Sequence, residues 1–69
     1  MMTHLITYHD INNRILGERI LYNLTNEQAV EFVGYLKKWA NALFPSCNSL
    51  RLESLSSGDV VGSYSVKED

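Results

Sequence analysis

The chain is short of the residue types on which most metal, redox and nucleophilic sites are built. Its 69 residues include one cysteine, Cys47, two histidines, His4 and His9, and one proline, Pro45. A lone cysteine closes no disulfide within the chain. His4 and His9 stand five apart in a stretch that reads as a strand, so they project from opposite faces and cannot grip one metal together. No CxxC or HxxxH spacing is present, no serine sits in a GxSxG elbow, and Gly58, Asp59 and Gly62 lack the spacing and following helix of a phosphate loop. Neither cofactor nor metal is expected.

Positive charge is scarce too. Six Lys and Arg against eight Asp and Glu give a net charge of −2, which leaves no electrostatic footprint for non-specific nucleic-acid binding. No apolar run approaches the ~20 residues of a membrane-spanning helix. His4, Thr7, Tyr8, His9 and Asp10 interrupt any N-terminal apolar stretch, so no secretory signal is expected, and a reduced, cytoplasmic protein is. A chain of this length forms one domain near the lower limit of a self-sufficient core, burying only ~60% of its unfolded surface.

What is there is a helix, TNEQAVEFVGYLKKWANALF, from Thr25 to Phe44. At 3.6 residues per turn its apolar side chains, Ala29, Phe32, Val33, Leu36, Trp39, Ala40, Leu43 and Phe44, fall within an arc of about 140°. Thr25 with Gln28 three residues on reads as a capping box. Glu27 complements the positive end of the helix dipole, and Pro45 ends the helix. Trp39 lies within the apolar arc and is expected to anchor the core, with Trp39→Ala costing ~3–5 kcal/mol.

Two hairpins flank the helix. Residues 3–11 and 15–24 read as strands joined across Asn12-Asn13. A two-residue turn there puts Ile6 opposite Arg19 and Leu5 opposite Ile20, whereas a three-residue loop of Asn12 to Arg14 puts Ile6 opposite Ile20, His4 opposite Tyr22 and Leu5 opposite Leu21. The second sorts apolar from polar side chains better and is favoured; Gly17 marks a potential bulge. Residues 50–56 and 60–66 form the other hairpin around Ser57-Gly58-Asp59, with Leu50 opposite Val66, Leu52 opposite Tyr64 and Ser56 opposite Val60. The tail Lys67-Glu68-Asp69 is charged and expected to fray.

The expectation is therefore an α+β fold of order ββαββ, one helix packed on a four-stranded, mostly antiparallel sheet, in a single layer of each. Its core would comprise Ile6, Tyr8, Ile20, Tyr22 and Leu24 from the first hairpin. The helix would add Phe32, Val33, Leu36, Trp39, Ala40 and Leu43, and the second hairpin Leu50, Leu52, Tyr64 and Val66. In those registers three apolar cross-strand pairs face away from the helix: Leu5 with Leu21, Ile11 with Ile15, and Leu55 with Val61. Apolar patches of this kind mark partner surfaces. The functional expectation is thus a small non-enzymatic protein-interaction module, self-associating or binding and inhibiting a protein partner through these six residues. The alternative is nucleic-acid or nucleotide binding through Tyr and Arg on the exposed sheet face. Catalysis through Cys47 would need a lowered thiol pKa, an orienting third group and a cleft; an inert residue beneath the helix end is expected instead. In outline alone (under 80 residues, acidic, one helix on a small sheet) the chain resembles many small phage and mobile-element proteins, some of which inhibit bacterial defence nucleases by occluding a surface. That resemblance implies action through loops and acidic patches and carries no residue across.

Overall fold

The computed structural model describes residues 1–66; the charged tail from Lys67 onward lies outside the described residues. Strands β1 (Met2–His9) and β2 (Ile15–Leu24) precede helix α1 (Asn26–Leu43), and β3 (Ser49–Ser54) and β4 (Val60–Ser65) follow it. All neighbours pair antiparallel in the order β2-β1-β3-β4, with α1 packed on one face. The ββαββ expectation holds, and the strand order, which pattern could not give, places β1 and β3 at the centre.

The helix begins as its sequence dictates. Thr25 is the N-cap: its Oγ1 accepts the Gln28 N–H at 3.1 Å while the Gln28 side chain accepts the Thr25 N–H at 2.9 Å. At the other end Phe44 leaves helical angles ahead of Pro45 but still donates its N–H to the Ala40 carbonyl. The Asn41 side chain secures the exit by donating to the Cys47 carbonyl at 2.9 Å. Phe44 then folds over Tyr8, ring centroids 5.0 Å apart, and seats against Gly17, where a Cβ would lie 2.5 Å from the ring. Gly17 is therefore required by close approach.

Its buried side is narrower than the apolar pattern implied. Ala29, Val33, Leu36 and Ala40 are buried, an arc of about 60° at 100° per residue. They meet Ile6, Tyr8, Leu21, Leu50, Leu52 and Cys47 in one core, with Phe32, Phe44, Leu24, Tyr64 and Val66 packed at its margin. Trp39 and Leu43 are exposed, against expectation. The reason is geometric: the helix contacts the sheet through a stripe centred on two alanines, which seats it close but leaves larger side chains hanging beside it.

Both hairpin registers differ from those expected. Asp10 organises the first turn, its carboxylate accepting the N–H groups of Asn12 and Arg14, each at 2.9 Å, with Asn13 at φ 65°. The loop proper is Ile11 to Asn13, His9 faces Ile15, and a bulge before Gly17 then shifts the pairing. Ile6 consequently faces Arg19, Leu5 faces Ile20 and His4 faces Leu21. A one-residue slip inverts every side chain. Ile20 and Tyr22 thus leave the core and are exposed, and Leu21 enters it, 6% exposed. In the second hairpin Leu50 faces Tyr64 and Leu52 faces Gly62. Ser54 closes this turn, its N–H bonding the Asp59 carbonyl and its Oγ accepting the Ser57 N–H. This shift is by two residues, so Leu50, Leu52 and Tyr64 keep the helix side.

Candidate interaction surface on the helix flank

The sheet face turned away from α1 is polar in its middle. Thr7 pairs across to Glu18 and Arg51, and Leu5 to Ile20 and Glu53. Thr7 and His9 are buried there and hydrogen-bonded to each other, Thr7 Oγ1 to His9 Nε2, at 2.7 Å. The six residues expected to form one patch are dispersed. Leu5 is half-buried on this face, Ile15 is exposed opposite His9, Ile11 is exposed in the first turn and Leu55 in the second. Leu21 lies in the core on the helix side and Val61 packs at the core margin. The three apolar pairs do not form, because the Asp10 turn, the bulge before Gly17 and a register shift between Leu52 and Glu53 set other registers.

Apolar surface collects elsewhere. Tyr35, Trp39 and Leu43 are 68%, 62% and 56% exposed. Spaced four apart, they form a continuous stripe along α1. Phe32 borders this stripe, and the Arg19 guanidinium of β2 stands 5.6 Å from its ring centroid, which fixes the stripe on the β2 side of the molecule. The Lys38 ammonium lies 5.9 Å from the Tyr35 ring centroid, and a shallow apolar hollow lined by Gln28, Glu31, Phe32 and Tyr35 lies alongside. Beneath this flank runs β2, one edge of the sheet.

No family model, curated protein or solved structure matches this chain. Its own chemistry must therefore carry the functional reading.

The titratable and nucleophilic groups are engaged structurally. His4 is buried on the helix side, its Nε2–H donating to Asn26 Oδ1 at 2.8 Å, which ties β1 to the start of α1. His9 is on the opposite face, as strand alternation requires. The Nδ1 atoms of both rings are buried with no partner among the described residues. Cys47 is fully buried, and its thiol points to the Ser49 carbonyl at 3.5 Å. Burial pushes its pKa up from 9.0, partly offset by hydrogen bonding with the His9 and Ser49 backbone. That is the reverse of nucleophile activation. Among the described residues no group of three or more His, Cys, Asp or Glu could hold a metal ion, and no helix is long and apolar enough to cross a membrane.

Sequence reasoning missed this flank. Periodicity places Trp39 and Leu43 in the core and leaves Tyr35 outside the apolar arc. A signal for two of its residues is present: on a helix whose centre is Ala29 and Ala40, Tyr35 and Trp39 stand 80° or more off that centre at 100° per residue, and large residues there overhang a small sheet.

Proposed function

We propose that the chain is a non-enzymatic protein-interaction module, acting in the cytoplasm, whose binding surface is the Tyr35, Trp39 and Leu43 flank of α1. The observation that supports it is the exposure of two large aromatics and a leucine in one stripe. Tyr and Trp dominate the energetics of protein interfaces because each buries a large area at little entropic cost. The flank is rimmed by Lys38, Glu31 and Gln28, the apolar centre and polar margin typical of such surfaces. Nucleic-acid binding has no comparable support: Glu18 and Glu53 share the open face with Arg51, and among the described residues Tyr22 is the one aromatic there.

The test is Trp39→Asp with Tyr35→Ser. Circular dichroism should show a folded protein, and light scattering or pull-down should show its association lost. A folded variant that associates as the natural chain does would reject the reading.

A further inference from the structure

The flank and the free edge of β2 lie on the same side of the molecule, and the edge itself is ordered for pairing. The Thr3 and His9 carbonyls accept from Leu55 and Asn48 on the β3 side. By strand alternation the odd-numbered residues of β1 address β3 and the even-numbered ones address β2. Leu5 therefore turns its backbone to β3, and its β2 partner Ile20 turns N–H and C=O outward, with Glu18 and Tyr22. Between the register shift at Gly17 and the irregular stretch at Asn23, whose φ is 59°, the strand is regular. Ile20 is the midpoint of that interval.

We infer that the partner of this surface is a second copy of the chain, joined through the free edge of β2 about a two-fold axis at Ile20. The inference rests on the flank being an interaction surface and adds the identity of what covers it. An axis at Ile20 sets Ile20 against its equivalent, Glu18 against Tyr22 and Arg19 against Leu21, and it brings Gly17 of one copy to Asn23 of the other, so the irregularities coincide. Moving the axis to Glu18 or Arg19 opposes like charges, and moving it to Leu21 sets a bulge against regular strand. The pairing forms about six main-chain hydrogen bonds between outward-facing residues. It also brings the two helix flanks toward each other over the joined strands.

The area suffices. Tyr22, Tyr35 and Trp39 are each about two-thirds exposed, which leaves roughly 100–170 Å² on each. Leu43 joins Tyr35 and Trp39 on the helix side, and Ile15 and Ile20 join Tyr22 on the opposite face of the sheet. The two sides of the joined edge in two copies together offer an area on the order of the 1,200–2,000 Å² that stable interfaces bury. Edge strands left open are liabilities that chains blunt with charge or bulges. Here the charges and bulges are placed so that they admit this one register.

Ile20→Pro tests the edge. Its N–H points outward, so proline removes no bond to β1 but blocks the partner strand. Sedimentation or light scattering at roughly 100 μM, a concentration that populates any micromolar dimer, should show the natural chain dimeric. Ile20→Pro should be folded by circular dichroism and weakened in self-association by roughly 30-fold or more, as for loss of an interface anchor. A natural chain that is monomeric throughout overturns the inference. A dimer that survives Ile20→Pro but is lost in Trp39→Asp overturns the edge and keeps the flank. A dimer lost in Ile20→Pro and indifferent to Trp39→Asp keeps the edge and rejects the flank. If the proline variant is unfolded, Ile20→Lys takes its place, and a folded Ile20→Lys dimer of natural affinity overturns the inference.

Discussion

Replacing Trp39 by alanine separates a core role from a surface role. A fully buried tryptophan costs about 3–5 kcal/mol on truncation. Trp39 is 62% exposed, so a little over a third of that burial is at stake, on the order of 1–2 kcal/mol by the same scale. Alanine is the better helix former and returns about half a kcal/mol at an interior position. The net loss in the monomer is therefore ~1 kcal/mol or less. Urea denaturation followed by circular dichroism, at a concentration low enough to hold the chain monomeric, measures it. Leu36→Ala in the same helix is the control, since Leu36 is buried and should lose ~2–5 kcal/mol. At higher concentration the Trp39→Ala deficit should grow, because association stabilises the folded chain by mass action. A monomer deficit equal to that of Leu36→Ala would refute the reasoning and return Trp39 to the core.

Gly17→Ala should destabilise by about 1–3 kcal/mol, since the new methyl meets the Phe44 ring and displaces it from Tyr8; an unchanged urea midpoint would show that the ring moves freely. Thr25→Ala removes one half of the capping box and should cost ~1 kcal/mol, with helical signal lost first at the α1 N-terminus. Cys47 should resist alkylation at neutral pH in the folded chain. Its folded pKa is raised, so the unfolded chain releases the proton first: stability is untouched well below the ordinary thiol value of 9.0 and falls as pH rises through and above it. That part of the fall should be absent in Cys47→Ser, and rapid alkylation at pH 7 would count against the burial argument.

The helix was legible because its signals are local. Thr25 with Gln28, and Phe44 before Pro45, specify their own ends within a few residues, and the structure reproduces both. Strand existence was legible for the same reason, and β2 matches residue for residue. The registers were not, because each is set by a side chain acting on the turn backbone. Asp10 bonds two N–H groups and Ser54 one, and the register shifts at Gly17 and at Leu52–Glu53 undo an argument from alternation. The expected surface is dispersed by register: one residue of slip in β2 exchanges the faces of Leu21 and Ile20, the Asp10 turn separates Ile11 from Ile15, and the β3–β4 register separates Leu55 from Val61. Trp39 shows a different limit. Periodicity places it on the apolar half of the helix but does not say how wide a sheet lies beneath.

Trp39 is the only tryptophan in the chain, so its fluorescence reports on the proposed surface without labelling. In dilute solution its emission should be that of a solvated indole and readily quenched by acrylamide. Raising the concentration should shift the emission to the blue and protect it from quencher, and Ile20→Pro should abolish both changes. Emission that is already blue and protected at the lowest concentration, in a chain shown to be monomeric, would contradict the account, because Trp39 would then belong to the core.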